Sequence, residues 1–349
     1  MAWQRFCRNK LSIASLIVIG LFILMAVAGY LITPDSTPHC NQQYLELATL
    51  KPMSRVDFVY VDDGMPQPTT GWLHKMLYGE PLAYTAIPTY RTTPIGDSLD
   101  IEAYTGSTPN SGPVRRVAAD KVVRQESRTF ILGTDGYGRD VLSMIIIGSR
   151  VSLSVGFIAI LIALLIGITL GALAAYYGGW VDSLITWLIN VVWSIPTVLL
   201  VIAITFALGK GFWQVFIAVG LTVWVDIARV VRGQVYSVKE KEYVEAARAL
   251  GYSGFRTIFR HILPNITGAV IVVAASNFAS AILLESGLSF LGIGVQPPMP
   301  SWGTMVKDNY CYILLDNAYL ALLPGAAIML LVLAFMILGN GLREALDVK

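Results

Sequence analysis

The chain has 349 residues, 55% of them hydrophobic and 14% charged, with a mean hydropathy of +0.63. Soluble domains carry about a quarter charged residues, so a deficit this deep excludes most soluble folds and places long uncharged stretches in lipid. A net charge of +2 is too small to attract a nucleic acid, three cysteines build no disulfide framework, and the scattered His39, His74 and His261 lack metal-ligand spacing.

A bilayer core of about 30 Å needs about 20 apolar helical residues. Six runs qualify. The first, 11–32, follows Arg5, Arg8 and Lys10; it is too long for a signal peptide and lacks a small-residue cleavage pattern. The second is 151–175. The third, 181–208, contains Pro196, which predicts a kink. The fourth, fifth and sixth are 212–231, 266–291 and 319–340. Backbone groups in lipid must pair internally, so an all-α six-helix transmembrane bundle is expected. The basic residues before the first run put the N-terminus in the cytoplasm, and six crossings return the C-terminus, with Arg343 and Lys349, to that side. The segment between runs four and five, rich in Arg and Lys, then also faces the cytoplasm, while the short outer loops carry only Lys210 and Lys307.

The organisation expected is therefore 1–33 as tail and first helix, 34–130 as an extracytoplasmic insertion, and 131–349 as the core, with a cytoplasmic loop at 234–265. The insertion reads as a small, mixed, poorly regular unit: the alternation over 56–61 predicts a strand, and 97–113, rich in Gly, Ser, Pro and Asn, reads as exposed loop. Residues 132–148, with Asp135, Arg139 and Asp140 among apolar neighbours, read as a surface-lying amphipathic helix rather than a substrate contact.

Chemistry-bearing motifs are scarce. Gly209-Lys210-Gly211 lacks the earlier glycine and the hydroxyl of a phosphate-cradling loop, and neither Gly-x-Ser-x-Gly nor His-Glu-x-x-His occurs. No catalytic residue, metal site or cofactor is assigned to this chain. Two acidic residues are candidates for an ionisable group within the bilayer. Asp226 has Arg229 three residues on, which reads as an interfacial ion pair or a proton site; Glu285 reads equally as a structural hydrogen-bonding group or a pathway residue. In the cytoplasmic loop, 242–250 reads as a short helix stopped by Gly251, followed by a second helix capped by Ser253 and ended by Pro264. Tyr243, Ala246, Ala247 and Leu250 fall at i, i+3, i+4 and i+7, sharing a face that suits either the ends of the spans or a groove on a partner.

Glu245-Ala246-Ala247-x3-Gly251-x9-His261-x-Leu263-Pro264-Asn265 resembles the EAA loop of bacterial ABC importer membrane subunits. The resemblance extends to Leu132-Gly133-Thr134-Asp135-Gly136-Tyr137-Gly138-Arg139-Asp140, to Glu285-Ser286-Gly287-Leu288-Ser289, and to Ser301-Trp302-Gly303. Together these resemble the C-type permease of the dipeptide, oligopeptide and nickel importer group; nothing comparable covers 35–129.

That resemblance implies a type I ABC importer bundle in the bacterial cytoplasmic (inner) membrane. The implied partners are a second permease of the B type, two ABC ATPase subunits that bind the ATP and Mg, an extracytoplasmic solute-binding protein, and the lipid bilayer. It further implies that Tyr243, Glu245, Ala246, Ala247, Leu250, Gly251, His261, Pro264 and Asn265 couple to the ATPases. Asn190, Pro196, Asn277 and Glu285 are candidates for lining the passage for peptides or similar small solutes. Cys40 and Cys311, both outside in this topology, are a candidate disulfide pair if that side is oxidising. The competing reading is a standalone secondary carrier or channel, against which stands the want of a midplane charge cluster or inverted repeat.

Overall fold

A computed structural model describes residues 2–62, 64, 71–106, 109, 112–209 and 211–346; Lys210 and Lys349, which bear on the expected topology, fall outside that set. Contacts divide the chain into two compact units, one made of Met1–Phe22, Ser152–Gln296 and Ala326–Lys349, the other of Ile23–Val151 and Pro297–Gly325. In chain order, α1 is Ala2–Arg8 and α2 is Lys10–Ile32. The strand β1 (Ser54–Val61), the short helix α3 (Trp72–Tyr78), and β2 (Thr85–Ile95), β3 (Ser98–Ala103), β4 (Val114–Ala118) and β5 (Val122–Phe130) come next. Then come α4 (Val141–Tyr177), α5 (Gly179–Ser194), α6 (Thr197–Leu208), α7 (Phe212–Val238), α8 (Glu242–Ala249), α9 (Gly254–Thr257), α10 (Leu263–Phe290), α11 (Trp302–Asn309) and α12 (Tyr319–Leu346).

Five helices among the described residues are long and apolar enough to span a membrane: α2, α4, α7, the continuous Gly254–Phe290 stretch and α12. The third run, expected as one kinked helix, is two helices, α5 and α6, bent by 95°. Pro196 explains the break, because its ring drives the preceding residue out of helical space, and Ile195 sits extended at φ −91°, ψ 130°. By length and composition, the described residues thus hold five candidate spans, or six when the bent pair counts as one.

Pro264, expected to end a helix, does not. A π turn at Ile258–Ile262 precedes it, and Pro264 falls in the first turn of α10, where a missing N–H is tolerated. The fifth span thus starts twelve residues before the expected Ile266, at Gly254.

The segment 34–130 is more regular than its composition suggested. Its five strands form one antiparallel sheet in the order β4-β3-β2-β1-β5. β1 pairs with β2 and β5 and covers the alternating run; Phe58 and Tyr60 pack with Tyr44, Leu47 and Phe130 on one side, and Val59 and Val61 with Leu99, Ile101 and Val117 on the other. The stretch 97–113, read as loop, contains β3, whose Leu99 and Ile101 are buried. Its turn-forming residues flank a strand too short to register against them.

Residues 132–140 are also corrected. They form a tight, buried turn, not a surface helix, and α4 starts directly after it. Asp135 is its hub: Oδ1 accepts the backbone N–H of Tyr137 and of Arg139, both at 2.9 Å, and Oδ2 accepts Nε of Arg139 at 2.8 Å. Thr134 donates its hydroxyl to the Leu47 carbonyl and accepts the Leu50 N–H at 2.9 Å, tying the turn to the segment before β1. Asp140 caps α4 by accepting the Ser143 N–H at 2.8 Å, while the Asp35 N–H donates to the Ser143 hydroxyl at 3.0 Å. In α11, Ser301 and Thr304 form a capping box and the buried Trp302 donates to the Ile145 carbonyl at 2.9 Å, so the Ser-Trp-Gly motif clamps α4. Cys7, Cys40 and Cys311 are all free thiols. The Cys40–Cys311 bridge is absent here: Cys311 is exposed, whereas Cys40 is buried and donates its thiol to the Asp35 carbonyl at 3.0 Å.

Asp135→Ala would leave the Arg139 guanidinium buried without its main acceptor, a loss of about 3–5 kcal/mol; Asp308, 3.8 Å from Arg139, keeps the cost at the lower end. Thermal unfolding in detergent measures it. Burial also raises the carboxyls of Asp35 and Asp140 above the ordinary range, against the hydrogen bonds that lower them. The folded chain then holds these protons more tightly than the unfolded one, so stability falls as pH rises from the unfolded carboxyl value through the folded one. Asp140→Asn keeps a cap and removes one titration, so its melting temperature should fall less than the parent's over that rise.

Candidate functional site

The loop at 234–265 is built on the helix–turn–helix its residues dictate. In α8, Val244 and Ala247 are buried while Tyr243, Glu245, Ala246 and Leu250 are exposed. The face expected to unite Tyr243, Ala246, Ala247 and Leu250 is therefore split. Ala247 belongs to the inward side, because full burial of Val244, contributing about 1.5–3 kcal/mol, sets the rotation of so short a helix. The other three face solvent, Leu250 at 73% exposure.

The helix ends in a Schellman motif. Gly251 donates its N–H to the Arg248 carbonyl at 2.9 Å and Tyr252 donates to Ala247 at 3.1 Å, with Gly251 at φ +77°. Ser253 then caps α9, accepting the Arg256 N–H at 3.4 Å. Aromatic stacking stiffens the segment after the turn: the Arg256 guanidinium lies 4.3 Å from the Tyr252 ring, and Tyr252 stacks on His261 at 5.5 Å. Asn265 donates to the His261 carbonyl at 2.6 Å. Pro264 and Asn265 are exposed, His261 half-buried.

The loop is fastened to the end of α4. Lys239 donates to the Ala175 carbonyl at 3.0 Å, one of the last four carbonyls of that helix, where a cation is also favoured by the helix dipole. Arg248 lies 5.0 Å from the Tyr176 ring. Phe255 and Phe259, 68% and 50% exposed with rings 4.3 Å apart, extend the apolar surface beyond Tyr243, Ala246 and Leu250. Their i, i+4 spacing on the helix after Ser253 is the sequence signal for this pair.

The pathway candidates do not converge. Asn190 and Pro196 are exposed around the α5–α6 break, whereas Asn277 is buried and donates to the Val223 carbonyl at 3.2 Å. Glu285 is fully buried. Its Oε1 accepts the Ser289 hydroxyl at 2.7 Å, and the Ser289 oxygen accepts the Val295 N–H at 3.2 Å. This relay holds the turn after α10, giving the Glu-Ser-Gly-Leu-Ser motif a structural task. The Asp226–Arg229 ion pair is not formed: Arg229 lies over Trp193 at 3.8 Å, and Asp226 lines a small cavity of about 50 Å³ with Trp193, Thr197 and Thr222. A bidentate pair missed in the sequence, Asp182 to Arg232 at 2.6 and 2.7 Å, ties α5 to α7 instead. Among the described residues, no group of three or more His, Cys, Asp or Glu side chains is placed to hold a metal.

No heavy atom lies within 4 Å of where a Gly251 side chain would start, so only its backbone conformation selects glycine. Gly251→Ala should destabilise the loop by roughly 1–2 kcal/mol, the cost of the left-handed conformation. Gly251→Asn should cost less. Hydrogen exchange at the Gly251 and Tyr252 amides gives that order; equal effects would mean that bulk, not conformation, governs the position.

Comparison with known proteins places these motifs. Residues 163–349 match the family described as binding-protein-dependent transport system inner membrane component, and residues 1–52 the N-terminal transmembrane domain of oligopeptide transport permease C. The chain is 44% identical over 217 residues to a dipeptide transport system permease protein of Alkalihalophilus pseudofirmus, covering 62% of this chain and 71% of that one. It is 40% identical over 230 residues to a glutathione transport system permease protein of Pectobacterium atrosepticum, covering 66% and 76%. An oligopeptide transport system permease protein of Bacillus subtilis is 37% identical over 223 residues, covering 64% and 73%. Among solved structures, the inward-facing MetNI methionine ABC transporter is similar with a TM-score of 0.49 and 18% identity, covering 58% of this chain and 96% of that one. With the loop at 234–265 and its C-terminal half both inside the matched region, the chain belongs to the inner-membrane permease components of binding-protein-dependent transport systems.

Proposed function

We propose that this permease works as half of a type I ABC importer, crossing the bacterial inner membrane six times with both termini in the cytoplasm. A second permease of the B type completes the passage, and an extracytoplasmic binding protein delivers the solute. Peptides and similar small solutes are the cargo that the dipeptide, oligopeptide and glutathione permeases among its relatives support. ATP and Mg belong to two partner ATPase subunits, which take hold of this chain at α8.

The observation that carries this reading is the division of α8 into two sides. Val244 and Ala247 anchor it, while Tyr243, Ala246 and Leu250 stand out with Glu245 beside them. An anchored helix with an unsatisfied apolar side is a docking element, and a partner can bias a two-state bundle only through contacts that differ between the states. The Schellman turn at Gly251 and the Tyr252–His261 stack join that element to the helix continuing through Pro264 and Asn265. For the passage, the bent α5–α6 pair with Asn190 and Pro196, together with Asn277 and Glu285, remains the assignment, with Glu285 acting through the turn it holds.

Glu245→Lys and Leu250→Asp should each reduce uptake to background in proteoliposomes containing the full importer, while the permease still inserts. Normal uptake by either variant would remove α8 from the coupling role; uptake by this chain alone on an ion gradient would favour a secondary carrier.

A further inference from the structure

The short helix α3 has a composition its place in the sheet unit does not explain. Trp72, Leu73, Leu77 and Tyr78 are 71%, 51%, 48% and 64% exposed, and none of its seven residues is buried. A helix of this length is unstable in water by itself, since nucleation is costly and isolated helices need about 12–15 residues even to be marginal. Contacts from the rest of the chain hold its backbone, yet its apolar side chains stay uncovered.

Its backbone shows where it is held. Arg150 of α4 donates from Nη2 to the Met76 carbonyl at 2.6 Å and from Nη1 to the Leu77 carbonyl at 2.8 Å, filling acceptors that the end of α3 leaves open. The same guanidinium donates to the carbonyls of Ala26 and, at 2.9 Å, Val27, both inside α2, and packs on the Tyr30 ring at 4.7 Å. A second pin lies one residue further on. Gly79, at φ +77°, donates to the Lys75 carbonyl, and a side chain there would run into the Ser36 carbonyl at 2.6 Å; Glu80 donates its N–H to that carbonyl at 2.8 Å. One formal charge of the helix, Lys75, is turned to Glu80 at 2.7 Å, along a polar cavity that both line.

Arg150 therefore sets the depth of α3. Val27 lies five residues before the end of α2 at Ile32, about 7–8 Å along a helix that spans the membrane. That is the depth at which interfacial helices bury their apolar side, about 5–10 Å into the boundary between headgroups and acyl chains. Trp and Tyr are the side chains that favour this zone. The geometry points to α3 as a lipid anchor: a helix strapped by Arg150 to the flank of α2, with Trp72, Leu73 and Leu77 in the outermost acyl layer, fixing the sheet against the bilayer. The inference rests on the membrane-spanning permease reading, which makes α2 a true span.

Nitroxide labels test it in the assembled importer in lipid bilayers, in a Cys7→Ser, Cys311→Ser background. Labels at Leu73→Cys and Leu77→Cys should collide with molecular oxygen several-fold more than with the water-soluble nickel–EDDA complex. Leu24→Cys, on the exposed side of α2, should behave alike, and Ile95→Cys, at the exposed end of β2, should show the reverse. Labels on α3 that match Ile95, or that are immobile and shielded from both reagents as under a docked protein, would overturn the anchor while Leu24 still reports lipid. A Leu24 label that reads as aqueous would overturn the spanning assignment and the anchor with it.

Discussion

Every amide and carbonyl that this chain takes into lipid must find its partner within the protein, because no water is there to supply one. Helices meet that demand along their length but not at their ends, where about four groups are left open at each terminus. Several polar side chains of this chain serve those ends. Asp135 gathers the amides of the turn before α4, and Asp140 caps that helix. Glu285, through Ser289, holds the amide of Val295 after α10, and Arg150 collects four carbonyls from two helices. The motifs around Asp135, Glu285 and Trp302 fall on or beside these terminations, where their bonds let a helix start or stop.

How legible this was depends on the scale of the physics involved. Long apolar runs announce themselves by length alone, and α2, α7 and α12 lie close to the runs read from the residues. The loop from Glu242 to Ser253 was equally open to reading, because a glycine stop and a serine cap are local devices that need no distant partner. Pro264 and Pro196 show the limit. Both interrupt an apolar run, yet one lies inside a continuous helix and the other at a 95° break. The difference lies in the π turn before Pro264, which no residue spacing reveals.

Non-local partners were the other blind spot. Asp226 and Arg229 have the spacing of a pair, but Arg229 finds the Trp193 ring and Asp182 reaches Arg232 across fifty residues of chain. The same holds for 132–140, whose charges suggested a wet surface; Asp135 and Arg139 bury together, and Thr134 bonds to Leu47, far back in the sequence. Within the insertion, β1 was recognisable because its alternation is intrinsic, whereas β3 takes its strand character from pairing with β2 and β4.

The uninterrupted helical course from Gly254 to Phe290 turns these details into mechanics. At 1.5 Å per residue its 37 residues make a rod of about 55 Å, with the aromatic-braced loop of α8 and α9 at one end and the Glu285-held turn at the other. Such a rod acts as a lever arm. Pivoted at one end, a tilt of only about 5° sweeps the far end through about 5 Å, close to one helical turn. Its stiffness makes distance an amplifier, so a displacement too small to disturb the packing at one membrane face becomes a change of register at the other.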